Sequence, residues 1–270
     1  MLHERIYLDE TDDRVYLDTY VGDIRNFARD AMLVFPGGGY GNVCTDREGE
    51  PIALAYLAKG FNAFVLHYRV GKEGDVYPKQ LIDAARAVIH IKANAEKYNI
   101  DPDRIFAVGF SAGGHLAGSL GLMASRPEVL EPLGASEEDV RIKGMVLSYP
   151  VVTALYNTHI NSFQRLSGFP FDEIPEDLKK KYSLEECVDE NSPAAFIWLT
   201  ATDNGVPPVG SLRLCEKYIE KKRTVSLRIY PYGCHGIALA DKYCNYDEVA
   251  IEPLAQGWLS DSVDFINSLK

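Results

Sequence analysis

Short apolar runs alternate with longer stretches in which apolar residues recur at helical spacing. The first run of note, 31–35 (AMLVF), is continuous and stops at Pro36-Gly37-Gly38-Gly39, which predicts a strand buried on both faces. Segment 51–59 then shows helical spacing with Gly60 as its stop signal, and 62–67 (NAFVLH) predicts the next buried strand. A long helix is expected over 77–98, because Leu81, Ala84, Ala85, Val88, Ile89 and Ile91 fall largely on one stripe. The alternation continues with a strand at 104–108 (RIFAV), a helix at 111–123 rich in Ala, Gly and Leu, and a strand at 143–148. Nearer the N-terminus, 14–21 alternates loosely and predicts a hairpin with 5–8.

After Pro150 the pattern breaks. Residues 153–192 are polar, aromatic and irregular, with one short helical candidate at 172–181. Strand and helix signals then resume at 195–200, 209–221, 226–230 and 252–269. Repeated strand–helix units imply an α/β fold, with a mostly parallel central sheet and helices on both faces. The expectation is a single domain over 1–270 with a cap insertion at about 153–192, a length that one α/β unit commonly reaches.

Charge and composition narrow the function classes. The formal net charge is −11, which argues against a nucleic-acid surface and against steering of polyanions. The two tight basic runs, Lys179-Lys180-Lys181 and Lys221-Lys222-Arg223, are expected to be solvated helix faces. No apolar stretch reaches the ~18 residues of a membrane-spanning helix, and the opening residues Met1 to Arg5 show no leader-like apolar core. The five cysteines are odd in number and lack metal-ligand spacing. Together these features predict a reduced, cytoplasmic protein that uses neither metal nor nucleic acid and does not enter the membrane.

Candidate chemistry centres on Gly109-Phe110-Ser111-Ala112-Gly113, a G-x-S-x-G pattern between a predicted strand and a predicted helix. A nucleophilic hydroxyl must stand out on a sharp turn there, and small flanking residues relieve the crowding. A phosphate cradle is the competing reading of a Gly-rich helix start, but no Lys follows at the required spacing. A tetrahedral intermediate needs preorganised N–H donors for its oxyanion. The loop Pro36-Gly37-Gly38-Gly39-Tyr40 follows a central strand and resembles the HGGG-type motif with Pro36 in place of the leading His. The expected donors are the N–H groups of Gly38, Gly39 and Ala112.

Six histidines compete for the role of base. His3 is terminal, His67 and His90 fall in strand and helix patterns, His115 lies one turn after the nucleophile, and His159 lies in the insertion. His235, in the Gly233-Cys234-His235-Gly236 loop, alone follows the last predicted strand. For the acid, Asp203 follows strand 195–200, which places a carboxylate just past the carboxyl edge of the sheet. Asp189, Glu190 and Asp241 follow no predicted core strand. The order Ser111, Asp203, His235 is the order of this chemistry on α/β sheets. Cys234 beside the base is expected to be small buried packing.

Taken together, PGGGY (36–40), HYRV (67–70), YPKQLIDAARAV (77–88), NIDPDRIFAVGFSAGGHLAG (99–118), TATDNGVPP (200–208) and GCHG (233–236) resemble the bacterial esterase branch of the α/β-hydrolases, which includes acetyl xylan esterase-like and hormone-sensitive-lipase-like enzymes. Pro36 points toward the xylan-esterase-like side. The resemblance implies the same triad and oxyanion groups, a short-chain acyl ester as substrate, and a sugar as the acylated alcohol. Acyl transfer to water needs no metal or organic cofactor. Tyr156, Phe163, Phe169 and Phe171 could line an apolar wall in the insertion or pack in the core. A serine peptidase on the same scaffold and a catalytically silent binding protein are the alternative readings. The sequence leaves the oligomeric state open, a homo-oligomer included.

Overall fold

The structure, a computed structural model, describes residues 1–24 and 27–269. Its organising element is a sheet in which eight strands of the described residues join in the order β1-β2-β4-β3-β5-β6-β7-β8. The strands are β1 (Arg5–Tyr7), β2 (Tyr16–Tyr20), β3 (Arg29–Phe35), β4 (Asn62–His67), β5 (Ile100–Phe110), β6 (Gly144–Ser148), β7 (Ala194–Thr200) and β8 (Val225–Tyr230). The first two pair antiparallel as the expected hairpin, and β2 joins β4 antiparallel. From β4 through β3 and on to β8 every pairing is parallel. The chain is an α/β-hydrolase fold.

The helices are α1 (Thr45–Glu48), α2 (Glu50–Ala58), α3 (Lys79–Ala93), α4 (Ala95–Tyr98), α5 (Ala112–Met123), α6 (Pro127–Leu133), α7 (Glu137–Val140), α8 (Ile160–Ser167), α9 (Glu176–Tyr182), α10 (Val209–Glu220) and α11 (Trp258–Ser268). Register shows how they cover both faces of the sheet. Met145 and Ala195 are paired, and a side chain at Gly121 of α5 would meet Met145 Sδ at 2.3 Å, so this parity faces α5. The opposite parity of β7 packs on α11: Trp198 stacks on Trp258 at 4.9 Å and Phe196 meets Phe265 at 5.9 Å. Side chains alternate across a strand, so α5 and α11 lie on opposite faces. Past their first one or two residues β3 and β7 are buried, as is all of β6, which is why they read as apolar runs.

Four sequence expectations are corrected. The helix expected over 77–98 is interrupted at Asn94, and Asn99 then takes a left-handed conformation (φ 50°) that turns the chain into β5. The segment 252–269 becomes helical only at Trp258, after a 3₁₀ turn at Ala255–Gly257. The region 153–192 is less irregular than its pattern, since α8 buries Phe163 and Leu166. The helical candidate at 172–181 is displaced to α9, with a 3₁₀ turn at Phe171–Glu173 before it. No helix among the described residues is long and apolar enough to cross a membrane.

Candidate active site

Ser111 follows the last residue of β5 and precedes α5, with φ 54° and ψ −118°. A non-glycine residue at positive φ is costly and persists only where its surroundings hold it. They do so here: the Ser111 N–H donates to the Ser148 carbonyl at 3.0 Å, and its own carbonyl accepts from Val151 N–H at 3.0 Å. The flanking glycines are required by space. A Cβ on Gly109 would lie 2.2 Å from the Gly113 carbonyl oxygen, and one on Gly113 would lie 2.1 Å from that of Phe35. The G-x-S-x-G spacing is therefore a packing condition, with α5 started directly against the end of β3.

The glycine loop after β3 runs alongside. A side chain on Gly37 would meet Ser111 Cβ at 3.1 Å, so the loop abuts Ser111. Gly38 (φ 131°) and Gly39 (φ 60°) both adopt conformations that disfavour side chains. A Cβ on Gly38 would also stand 2.1 Å from the Asn42 carbonyl oxygen. The loop closes on itself through Gly41 N–H and Asn42 N–H, which donate to the Gly38 carbonyl at 3.0 and 3.3 Å. Ala112, the third expected donor, is the first residue of α5 and is buried.

Ser111, His235 and Asp203 are brought together from the ends of β5, β8 and β7. His235 Nε2 lies 2.8 Å from Ser111 Oγ, and His235 Nδ1 lies 2.8 Å from Asp203 Oδ2. The second carboxylate oxygen, Oδ1, accepts from Gly205 N–H and Val206 N–H, each at 2.8 Å. Three contacts fix the direction of this carboxylate. With Asp203 as acceptor, the imidazole carries its proton on Nδ1 and turns Nε2 toward Ser111 Oγ. Tight packing keeps the Asp203 loop against His235, because a Cβ on Gly205 would meet the His235 ring at 2.8 Å.

The other histidines and the thiols go elsewhere. His115 is buried, with Nε2 at 2.7 Å from the Tyr182 carbonyl and Nδ1 at 2.7 Å from Tyr40 Oη. Nε2 must donate to that carbonyl, so Nδ1 accepts from the tyrosine, and burial pushes the ring's pKa down to about 4. Burial pushes the Cys234 thiol up, away from the thiolate a nucleophile needs. Asp189 accepts from Asn191 N–H and Ser192 Oγ in a local turn, and Asp241 accepts from Tyr243 N–H and Cys244 N–H in another. Neither of these two meets His235.

Two residues of the 153–192 segment that the pattern did not single out reach the site. Arg165 of α8 donates to the Gly39 carbonyl at 3.1 Å. His159 lies beside the same loop, with Cε1 3.5 Å from where a Gly39 Cβ would stand, and its Nδ1 is 2.8 Å from Ser162 Oγ. Burial, then the neighbouring His235 and Arg165, push its pKa down. Of the segment's aromatic residues, Phe163 packs edge-on against His115 at 5.3 Å in the core, while Tyr156 and Phe169 are exposed. No periodicity marks His159 or Arg165, because a loop and an eight-residue helix carry them.

Comparison with known proteins follows the same lines. The BD-FAE family model matches residues 17–218, which run from β2 through α10. The chain belongs to the BD-FAE family. Among curated relatives, endo-1,4-beta-xylanase B of Butyrivibrio fibrisolvens is 38% identical over 221 residues, 79% of this chain and 33% of that protein. The acetylxylan esterase of Xylanibacter ruminicola is 26% identical over 226 residues, 81% of this chain and 43% of that protein. The chain thus spans less than half the length of these two curated relatives. Solved structures match over nearly the whole chain. An acetyl ester-xyloside bifunctional hydrolase from Caldicellulosiruptor lactoaceticus superposes with TM-score 0.80 at 31% identity, covering 97% of both chains. The carboxylesterase Cest-2923 from Lactobacillus plantarum WCFS1 gives 0.85 at 25% identity, covering 99% of this chain and 97% of that one.

Proposed function

We propose that this BD-FAE family member is a serine carboxylesterase that removes short acyl groups, acetyl above all, from a small-molecule or oligosaccharide alcohol. The observation that carries the reading is the unbroken chain of contacts Ser111 Oγ, His235 Nε2, His235 Nδ1 and Asp203 Oδ2, with 2.8 Å at each hydrogen bond. In this reading Ser111 Oγ attacks the ester carbonyl as His235 Nε2 takes its proton. The N–H groups of Gly38, Gly39 and Ala112 receive the oxyanion, and the imidazolium is stabilised by Asp203. The alcohol leaves with the proton from Nε2, and water, activated by the same imidazole, releases the acyl group from Ser111.

The sugar element rests on the esterase and xylanase relatives, and the acyl-transfer element on the residues themselves. The 153–192 segment serves as the cap: Arg165 and His159, beside Gly39, give it contact with the oxyanion loop. The test is turnover of 4-nitrophenyl acetate, of a peptide 4-nitroanilide and of acetylated xylo-oligosaccharides at equal enzyme. The reading expects fast release from the acetate and deacetylation of the sugar, both lost in Ser111→Ala. Comparable cleavage of the anilide would make the protein a peptidase instead. Turnover of neither class would support a silent binding protein.

A further inference from the structure

Glu48 is a carboxylate buried to 1% exposure at the end of α1, and the acyl-transfer mechanism does not use it. Its Oε2 accepts from Gly37 N–H at 2.8 Å, in the oxyanion loop. Its Oε1 accepts from Tyr149 Oη at 2.8 Å. That same hydroxyl oxygen accepts from Ala238 N–H at 2.9 Å, three residues past the base. The Tyr149 ring also meets the His235 ring edge-on at 5.1 Å. Next to Glu48, Arg47 donates to the Gly236 carbonyl at 3.3 Å. The turn of α1 therefore holds the oxyanion loop with one atom and the base loop through two routes.

We propose that Glu48 and Tyr149 are positioning residues that set the His235 loop against the Gly37–Gly39 loop, so that base and oxyanion donors are placed as one unit. The chemistry of the pair fits this role. A carboxylate accepts at both oxygens, whereas its amide counterpart accepts at only one, and no apolar residue accepts at all. Burial makes each lost partner costly, since Gly37 N–H and Ala238 N–H would be left without acceptors. Neither side chain touches the reacting atoms. The effect reaches them through loop position, where a displacement of about 1 Å costs on the order of 10²-fold in rate.

The inference rests on the esterase reading, and its test separates the two. Glu48→Gln and Tyr149→Phe keep the shape of each side chain, and Tyr98→Phe, which loses a hydroxyl bonded to His90 Nε2 at 2.9 Å before the amino end of β5, is the control. In the folded variants kcat for 4-nitrophenyl acetate is expected to fall about 10- to 100-fold with KM within about twofold. The double variant is expected to fall no further than the worse single, as members of one unit do. The His235 Nδ1 proton, read by NMR in the resting protein, should be sharp in the wild type and control and lost or broadened in Glu48→Gln and Tyr149→Phe. That resonance is independent of substrate, so it decides the inference even if the wild type turns over no ester and the esterase reading fails. A resonance unchanged in both variants overturns the inference whatever kcat does. So does a kcat loss in the control equal to theirs.

Discussion

The rim formed by the ends of β3 and β5 and the segment 153–192 face each other across Gly39, and they are built on different principles. At the rim, backbone geometry dictates the residues. Gly109, Gly113 and Gly38 stand where a Cβ would lie 2.1–2.2 Å from a carbonyl oxygen, and Ser111 is held at φ 54°. In the segment, side chains make the contacts: Arg165 reaches the Gly39 carbonyl, and Phe163 fills space beside His115. A backbone clash admits one residue type, whereas a side-chain contact can be made from many positions. The rim is consequently costly to change, and the segment tolerates substitution more readily.

Four substitutions sharpen this contrast, taken from the largest expected effect downward. Asp203→Asn keeps the geometry but removes the charge and favours the wrong tautomer of His235. It should lower kcat by up to ~10⁴-fold, measured with 4-nitrophenyl acetate. Gly113→Ala forces α5 away from the Phe35 carbonyl, and a displacement near 1 Å predicts a loss of about 10²-fold in kcat together with a lower melting temperature. A Gly113→Ala enzyme with wild-type kcat would break the claim that the rim is fixed by backbone contact.

His115 lies where the two regions meet, bonded to Tyr40 beside Gly37–Gly39 and to Tyr182 of α9. Its pKa in the fold is depressed from 6.5 to about 4. The unfolded chain therefore binds this proton first as pH falls. Its contribution is fully present above about pH 6.5 and is lost progressively as pH drops toward 4. The order of magnitude is up to about 3 kcal/mol across that window. Urea unfolding of His115→Gln should show a flatter dependence of stability on pH between 6.5 and 4 than the wild type. Equal slopes would show that His115 is not the group responsible. The smallest effect is expected in the segment: Arg165→Gln loses one exposed hydrogen bond, and kcat/KM should change by less than about tenfold. A loss as large as that of Asp203→Asn would erase the distinction between rim and segment.

The same contrast explains what the sequence could tell. Buried parallel strands need apolar residues on both faces, so β3, β4 and β7 were legible within a residue or two as continuous runs. The elbow and the glycine loop were legible because their backbone demands glycine. Chain order and a place after a strand single out His235 and Asp203 as candidates, and the coordinates bring His235 within hydrogen-bond reach of both Asp203 and Ser111. Glu48 and Tyr149 left no trace: one sits in a charged stretch, DREGE, that looks solvated, and the other is one more aromatic residue after a strand. Their role depends on three loops meeting in space, which no local pattern records. Helix α8 was missed for a related reason, since eight residues with two buried apolar side chains, Phe163 and Leu166, are too few for a periodic signal.

The central claim is that Ser111 is the nucleophile activated by His235. The most direct measurement is peptide mapping of the protein after brief exposure to a fluorophosphonate, with wild type and His235→Ala treated alike. The account predicts a single phosphonyl adduct on the peptide carrying Ser111, formed much more slowly in His235→Ala. An adduct on any other residue, or equal labelling of Ser111 in the two proteins, would contradict it.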